Sequence, residues 1–419
     1  MVQPVPCVHG PDHGVHDGAA VPPLSAGAPA QGRTTTTVLL GLAQTLAWAS
    51  SYYLPAILAG AIGRDLGMAR ASVFAAFSVA LLVAAATGPF AGRWIDRRGG
   101  RPVLLASNLV FAAGLAALGL AQQPLNVFMA WAVMGLAMGS GLYEAAFATA
   151  VRLHGQQARR TITGITLFAG FASTVGWPLT AWLESSLGWR GACLVWAGLH
   201  LLVGLPLNAL LPAAGRAPAA PVEPAGPVDP QAALAPRQQA MAAWLLAFVF
   251  AVAWFISTAM AAHLPQLLLA AGAGMAAAVG TAALVGPAQV AGRLIEFAFL
   301  SRAHPLLSAR LATLAHPLGV LCLVLLGSPA AAVFAVLHGL GNGILTIAIG
   351  TLPLLFFGAA GYGERQGFLM VPARIVQAGA PFLFGLWVQR LGVGSLWLSA
   401  GLALTACLAL GWLARALRR

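Results

Sequence analysis

The sequence contains no lysine, and charged residues of all kinds make up only 8% of its 419 residues. A soluble domain usually carries about a quarter charged residues. So little charge cannot cover a surface that faces water, which excludes an ordinary soluble protein and indicates an integral membrane protein. Because the phosphate-binding loop of a P-loop ATPase requires a lysine, the absence of lysine also excludes that class of enzyme.

Cysteine is scarce as well. Cys7, Cys193, Cys322 and Cys407 stand far apart in the sequence, so neither a metal-binding pair nor a disulfide framework is indicated. The net charge of +12 comes entirely from arginines. These lie in short gaps between apolar runs, which argues against nucleic-acid binding. We expect no cofactor and no metal.

Hydrophobic residues make up 59% of the chain and fall into long runs. Twelve apolar segments of transmembrane length are present, at about 37–63, 71–95, 102–121, 125–152, 161–183, 191–212, 240–265, 276–300, 309–327, 329–356, 367–388 and 395–414. We predict an all-α membrane protein with twelve transmembrane helices in two bundles. The predicted parts are a disordered tail (1–35), an N-terminal six-helix bundle (36–212), a Pro/Ala-rich linker (213–239), a C-terminal six-helix bundle (240–414) and a basic tail (415–419).

The arginines are distributed unequally between the two sides of this layout, and the positive-inside rule therefore predicts an orientation. One side collects sixteen of them: Arg33, Arg93, Arg97, Arg98, Arg101, Arg152, Arg159, Arg160, Arg216, Arg237, Arg302, Arg310, Arg365, Arg415, Arg418 and Arg419. The other side has only Arg64, Arg70, Arg190 and Arg390. We expect both termini and the linker to be cytoplasmic, in a bacterial inner membrane. The tail carries Cys7, His9, His13 and His16, which we interpret as an unstructured extension rather than a metal site.

An Ala-Gly-Arg phrase followed by a carboxylate occurs once in each half, at 91–96 and again at 291–296. The first copy ends in a loop, whereas Glu296 is followed by four more apolar residues. Glu296 is thus expected roughly 6–8 Å inside its helix end and Arg293 roughly 12 Å inside. A charge at such a depth costs on the order of 2.5–3.5 kcal/mol unless it is paired or hydrated. Because Arg293 and Glu296 are three residues apart on one helix face, we expect them to neutralise each other in part.

The first copy resembles a known signature. Gly92, Asp96, Arg97, Gly99 and Arg101 match the pattern G-x-x-x-D-R-x-G-x-R/K between spans 2 and 3 of Major Facilitator Superfamily transporters, although Gly100 stands where arginine is commonest. The phrase at 187–191 is also similar to one frequent in that superfamily. The resemblance implies two bundles that rock about a central site. It implies that Asp96, supported by Arg97 and Arg101, stabilises the state closed to the cytoplasm by contacting the start of span 11. The alternative is a basic loop that only fixes topology.

The second copy, within GPAQVAGRL (286–294), is similar to span 8 of monocarboxylate and oxalate/formate porters. There a buried arginine binds the substrate carboxylate, and Arg293 occupies the matching position. A purely structural ion pair is the alternative. Glu144 lies among apolar residues and is a candidate for exchanging a proton. Glu144 and Arg374 come from different bundles, and we expect them to pair when the cytoplasmic side is closed and to separate when it opens.

Further polar residues fall in the spans that line the cavity in this superfamily or in adjacent spans. Candidates for lining the cavity are Gln44, Tyr52, Tyr53, Tyr143, Gln289, His338 and Asn342. For each of them, a hydrogen bond between neighbouring helices is the alternative interpretation.

The function that these patterns favour is secondary active transport of a small organic anion, such as a monocarboxylate, by proton-coupled alternating access. An alternative is proton-driven efflux of lipophilic or cationic compounds, since Gly164, Gly170, Gly176 and Pro178 resemble a pattern in span 5 of drug/proton antiporters. A transporter-like solute sensor is a third possibility. We do not expect an enzyme. The expected partners are a small-molecule substrate, protons and the lipid bilayer, with no nucleic acid, and the chain is expected to be a monomer.

Overall fold

The computed structural model describes residues 30–213, 235–300 and 303–416, and the regular structure in these ranges is helical. The first part of the chain forms nine α-helices: α1 (Ala30–Ser50), α2 (Leu54–Leu66), α3 (Arg70–Arg98), α4 (Gly100–Gly119), α5 (Pro124–Gly141), α6 (Tyr143–His154), α7 (Arg159–Ala169), α8 (Ala172–Leu199) and α9 (Leu205–Ala209). The second part forms seven: α10 (Pro236–Ala270), α11 (Met275–Ala283), α12 (Val285–Ala298), α13 (Pro305–Leu326), α14 (Ala331–Phe357), α15 (Tyr362–Leu391) and α16 (Ser395–Ala416).

Among the described residues, nine helical runs are long and apolar enough to cross a bilayer. One of them, Pro124–Ala209, is 86 residues long and would extend roughly 130 Å if it were straight, several times the thickness of the hydrocarbon core. Glycines with positive φ divide it at Gly155 (56°) and Gly188 (70°), and Gly392 (54°) divides the run Tyr362–Ala416. If each piece crosses once, the runs amount to the twelve crossings that the sequence predicts, a count that stays a prediction.

Helices α1 and α10 extend into regions predicted to lie outside the bundles. Helix α1 begins at Ala30, inside the predicted tail, and α10 begins at Pro236, inside the predicted linker. Proline suits the first position of a helix because its missing N–H would have no partner there. The side chain of Gln238 also accepts a hydrogen bond from the Ala235 N–H at 3.0 Å. The tail residues Cys7, His9, His13 and His16, and most of the linker, lie outside the described residues.

The two parts of the chain pack on the same plan. In the first, α1 packs on α7, α3 on α5, and α4 on both α5 and α8; in the second, α10 packs on α15, α12 on α14, and α13 on both α14 and α16. Each part has its own buried apolar core, one within residues 39–211 with Leu354 and Tyr362 added, the other within 242–413. We refer to these parts as the N-bundle and the C-bundle. Large apolar side chains such as Leu202 (78% exposed) and Trp244 (76%) point away from both cores, as a lipid-facing surface requires.

The longest contact between the bundles is formed by α3 and α15. A Cβ added to Gly363 would lie 2.6 Å from the carbonyl oxygen of Gly92, and one added to Gly367 would lie 2.6 Å from the Cα of Pro89. The backbones therefore touch directly, which is the role that small residues have in membrane helix pairs. Further along, the Ser78 hydroxyl donates to the carbonyl of Ala378 at 3.0 Å. The two helices thus fix the bundles together from mid-depth to the end at which α3 meets α4, which we call the Asp96 end.

Candidate functional site

Asp96 lies at the last turn of α3 and reaches the N-terminus of α15. Its carboxylate accepts hydrogen bonds from the backbone N–H groups of Gly363 (2.9 Å) and Glu364 (2.8 Å). The first N–H groups of a helix have no partner inside the helix and carry partial positive charge, so a carboxylate is well placed there. Gly92 permits this approach, because any side chain at that position would overlap the carbonyl of Gly363. Asp96 therefore joins the two bundles at the start of the helix that the sequence analysis named span 11.

The basic residue that pairs directly with α15 beside this contact is Arg93, whereas the predicted Arg97 and Arg101 form no ion pair among the described residues. Arg93 donates to Glu364 through Nε (3.0 Å) and Nη2 (2.5 Å). Arg93 precedes Asp96 by three residues and so shares its helix face, whereas Arg97 is turned away by about 100°. Arg97 acts on Glu364 only at longer range, and within the described ranges Arg101 takes part in no ion pair.

The two glycines after Arg98 have different roles. Gly99 adopts φ 86° and separates α3 from α4, a conformation that favours glycine. Gly100 begins α4 against α6, where an added Cβ would overlap the side chain of Thr149. This close packing explains why the chain departs from the signature here, since arginine would not fit.

Glu296 pairs across the bundles rather than along its own helix. Its Oε1 accepts from Nη2 of Arg159 at 3.4 Å, and Arg159 also donates to the carbonyl of Ala303 at 3.3 Å. The expected neutralisation of Arg293 by Glu296 is therefore wrong. Helix α12 ends at Ala298, so Glu296 lies about 3 Å from the helix end. At this shallow position Arg159, at the start of α7, can reach it.

Glu144 and Arg374 form the predicted pair near the middle of the molecule. Nη2 of Arg374 donates to both carboxylate oxygens, at 2.9 and 3.1 Å, and the two side chains are 12% and 4% exposed. The guanidinium also lies over the ring of Trp254, 5.2 Å from its centroid. Glu144 stands in the first turn of α6, just after α5 ends at Gly141. This break in span 4 presents its carboxylate to the C-bundle.

The pair continues into a chain of polar side chains that crosses between the bundles. Nη1 of Arg374 donates to Gln377 (3.0 Å), Gln377 donates to the hydroxyl of Tyr52 (3.1 Å), and that hydroxyl is 3.3 Å from Thr258 Oγ1. Tyr52 was predicted to line the cavity, but Gln377 was not. Its spacing of three residues from Arg374 puts both on one helix face, so the pattern could have identified it.

Aromatic rings surround this chain. Trp48 of the N-bundle and Trp254 of the C-bundle stack in parallel planes with centroids 6.0 Å apart. Tyr143 lies 4.7 Å from Trp48, and Tyr53 lies 5.4 Å from Tyr52. The indole N–H groups of both tryptophans are buried without a hydrogen-bond partner among the described residues. The three tyrosines were predicted from the sequence but neither tryptophan was, because a tryptophan fits any apolar helix face.

Arg293 is a buried cation with no anionic partner in the described part of the chain. It is 5% exposed, makes none of the ion pairs there, and its Nε has no hydrogen-bond partner. The guanidinium extends from α12 to the N-bundle, where Nη1 lies against Gly170 and a Cβ on that glycine would overlap it. It is close enough to Tyr53 and Tyr143 to interact electrostatically with both.

Four other candidates lie in contacts within one bundle. Gln44 donates to the carbonyl of Gly141 at 2.7 Å, and Asn342 donates to Ser257 at 3.1 Å. Nδ1 of His338 is 3.0 Å from Nδ1 of His316. The backbone of Gln289 packs against Gly343. The hydrogen bonds of Gln44, Asn342 and His338 are of the helix-to-helix kind, although His338 and Asn342 also line a cavity within the C-bundle. The structure thus brings Tyr52, Tyr53 and Tyr143 together with Glu144, Arg374 and Arg293, and leaves the other four outside this group.

Two proteins are similar in sequence to parts of this chain. It is 32% identical over 155 residues to an uncharacterized 38 kDa protein in the 23S RNA operon of Thermoproteus tenax, covering 37% of this chain and 40% of that protein. It is 29% identical over 140 residues to monocarboxylate transporter 3 of Rattus norvegicus, covering 33% of this chain and 28% of that protein. Both matches therefore span less than half the length of the relatives.

Solved structures resemble the fold over nearly the whole chain. The human organic anion transporter MFSD10 (TETRAN) has a TM-score of 0.68 at 17% identity, covering 91% of this chain and all of that one. The proton:xylose symporter XylE, bound to 6-bromo-6-deoxy-D-glucose, has a TM-score of 0.71 at 11% identity, covering 90% and 95%. The E. coli fucose:proton symporter FucP has a TM-score of 0.69 at 14% identity, covering 91% and 99%. At these identities the likeness concerns the fold alone.

The family model of the Major Facilitator Superfamily matches residues 40–371. This range includes the Asp96 contact, Glu144 and Arg293, and ends three residues before Arg374; the all-helical fold agrees with it. The chain therefore belongs to the Major Facilitator Superfamily, as a multi-pass membrane protein for secondary transport and not an enzyme.

Proposed function

We propose that the chain moves a small organic anion, a monocarboxylate, across a bacterial inner membrane by alternating access coupled to protons. The observation that carries this proposal is Arg293, a buried guanidinium between the bundles without an anionic partner in the described residues. A buried, unpaired charge is costly, whereas a carboxylate matches the planar fork of a guanidinium and offsets that cost. The site therefore favours an anion over a cation.

Two of the similar proteins support an anionic substrate, whereas XylE and FucP are sugar symporters. The names of two of them, monocarboxylate transporter 3 and the human organic anion transporter, refer to anions. Sequence identity to the first covers only a third of this chain, so the substrate class depends mainly on Arg293.

Glu144 is the proposed coupling residue. In the present state its carboxylate holds Arg374 of the opposite bundle. A proton on Glu144 removes the negative charge, and Arg374 loses the partner that keeps the bundles together at mid-depth. Proton binding is thereby linked to the relative position of the bundles, which is what coupling to a proton gradient requires.

We further propose that the Asp96 end faces the cytoplasm, as the distribution of arginines predicts. The contacts of Asp96 with α15 and of Arg159 with Glu296 then close the cytoplasmic side. Transport requires that both contacts, together with Glu144–Arg374, separate when the bundles rock to the opposite state.

Uptake into proteoliposomes tests the anion site. Labelled monocarboxylates are screened under an imposed pH gradient, and the best substrate is then measured with Arg293→Gln. We expect saturable uptake to be lost or its KM to rise at least about ten-fold, in line with the loss of one buried charge-assisted pair. Arg160→Gln, which changes an exposed arginine at the start of α7, is the matched control and should transport normally. Unchanged uptake by Arg293→Gln would refute the site.

The coupling role has its own experiment. Glu144→Gln should still exchange substrate across the membrane without a gradient, but a pH gradient should no longer drive accumulation. Exchange at equilibrium shows that the variant is folded and binds substrate. If Glu144→Gln accumulates substrate as the unmodified chain does, the proposed coupling role is wrong.

The aromatic rings support a second candidate, the efflux of lipophilic compounds. Trp48, Trp254 and the neighbouring tyrosines offer an apolar surface between the bundles. Arg293 disfavours cationic substrates, so this candidate is restricted to neutral or anionic ones. Drug-stimulated proton release from proteoliposomes, without any response to carboxylates, would favour it. A solute sensor, the remaining alternative, would bind such compounds without any flux.

A further inference from the structure

Five aromatic side chains form a continuous group between the bundles, which we call the aromatic cluster: Trp48, Tyr52, Tyr53, Tyr143 and Trp254. Trp48 is its centre, with centroids 4.7 Å from Tyr143, 5.2 Å from Tyr52 and 6.0 Å from Trp254. The two halves of the chain contribute to it, since Trp254 comes from α10 and the other four from the N-bundle. The cluster thus lies where the two bundles meet.

The aromatic cluster extends from one buried arginine to the other. Trp254 lies under the guanidinium of Arg374, which Glu144 already neutralises. At the opposite side, Tyr53 and Tyr143 lie within electrostatic range of Arg293, which has no such partner. The tyrosines of the cluster are therefore the aromatic groups available to an anion bound to Arg293.

Three of the five rings are more accessible than an ordinary apolar core. Tyr52, Tyr53 and Trp254 are only partly buried, unlike Trp131, which is 1% exposed within the N-bundle core. The indole N–H groups of Trp48 and Trp254 and the Nε of Arg293 have no acceptor in the described residues. The core residue Trp131 shares this property, but Trp48, Trp254 and Arg293 lie where the two bundles meet. Tryptophan and tyrosine usually find a hydrogen-bond partner when buried. A ligand with oxygen atoms and a flat apolar face could accept hydrogen bonds from these donors and pack against the rings.

We infer that the preferred substrate is a planar aromatic carboxylate, with its carboxylate on Arg293 and its ring against the aromatic cluster, rather than a short aliphatic acid. This inference rests on the proposed carboxylate site and specifies the substrate class of that site. Aromatic rings attract one another through offset or edge-to-face contacts beyond what their area alone provides. A short aliphatic acid bound to Arg293 neither packs against the rings nor accepts hydrogen bonds from the two indole N–H groups.

A pair of ligands that differ only in aromaticity provides the test. Benzoate and cyclohexanecarboxylate have the same charge and the same number of ring carbons, but only benzoate is flat and aromatic. Binding of labelled benzoate to the full chain in detergent is competed with unlabelled benzoate, cyclohexanecarboxylate and lactate. We expect benzoate to bind about three- to ten-fold more tightly than cyclohexanecarboxylate, the range that one to two aromatic contacts provide.

Two variants assign this preference to the cluster. Trp254→Leu, at a half-buried position, should reduce benzoate affinity to the level of cyclohexanecarboxylate and change the latter little. Trp244→Leu is the matched control on the same helix, because Trp244 is 76% exposed on the outer face, and it should retain the preference. Tyr53→Leu, also at a partly buried position, is a second variant if Trp254→Leu fails to fold.

The outcomes separate this inference from the proposed function. Equal affinities for benzoate, cyclohexanecarboxylate and lactate, all reduced by Arg293→Gln, would overturn the aromatic preference and leave the carboxylate site intact. Binding that does not depend on Arg293 would overturn the proposed function as well. A benzoate preference that persists in both Trp254→Leu and Tyr53→Leu would show that the aromatic cluster does not recognise the ring.

Discussion

Replacement of Asp96 by asparagine should open the Asp96 end. The carboxylate accepts two backbone N–H groups at the start of α15. Asparagine keeps one acceptor oxygen but presents an amide NH2 to the second N–H, so at least one bond to a charged group is lost, which is worth about 1.5–3 kcal/mol. Loss of the charge at a helix N-terminus adds about 0.3–1 kcal/mol. Asp96 is only partly buried, so we take a total of about 2–3 kcal/mol, the lower part of the summed range.

Such a loss changes the ratio of closed to open molecules by about 30- to 150-fold, at 1.36 kcal/mol for each factor of ten. Double electron–electron resonance can measure this ratio. Spin labels are attached to cysteines placed at Arg160 and Leu307, exposed positions in different bundles at the Asp96 end, in a chain without its native cysteines. We expect the long-distance population to increase in Asp96→Asn.

Asp65→Asn is the control with the same chemical change. Asp65 accepts hydrogen bonds from Trp189 Nε1 at 3.1 Å and from Arg190, all within the N-bundle, so its loss should leave the distance between bundles unchanged. A distance distribution for Asp96→Asn that coincides with the unmodified chain would refute the reasoning that this carboxylate holds the end closed.

Two glycine substitutions give the remaining predictions. Gly170→Ala should weaken carboxylate uptake in proteoliposomes, because the added Cβ would overlap the guanidinium of Arg293 and displace it. Gly198→Ala is the control and should transport normally, because a Cβ added there meets open space. Gly100→Ala should lower the apparent melting temperature in detergent, since overpacking against Thr149 costs about 1–3 kcal/mol. Thr149→Gly in the same chain should recover part of this loss, and no change in melting temperature would contradict the packing of α4 on α6.

The all-helical fold could be predicted from the sequence because few backbone structures can cross a bilayer. A chain with so little charge has to cross the membrane, and helices satisfy their own backbone hydrogen bonds there. The helix ends were less predictable, as α1 and α10 show by beginning at Ala30 and Pro236. A polar stretch that contains proline does not lie in the hydrocarbon core of the membrane, but it can still form another helical turn in water.

Charged residues of the site were partly predictable. A buried arginine and a buried glutamate are each costly when unpaired, so pairing between the bundles is favoured, and Arg374 and Glu144 form such a pair. The same reasoning failed for Glu296, because the spacing within one helix contains no information about Arg159 on a neighbouring helix. Trp48 and Trp254 were missed for a similar reason, since their stacking depends on how α1 and α10 cross.

The ion pairs between the bundles differ in depth, and this difference indicates which of them controls opening. Arg93 and Glu364 are each 37% exposed, and a solvated pair of this kind contributes little when water can replace either partner. Glu144 and Arg374 are 12% and 4% exposed, so separating them without compensation leaves a charge in a poorly solvated site. In the proposed mechanism, the central pair therefore sets the larger part of the barrier, and Asp96 sets the preference for the closed end. In that mechanism, opening is favoured when Glu144 is neutralised or Arg374 gains another partner, and the bound substrate can influence either change.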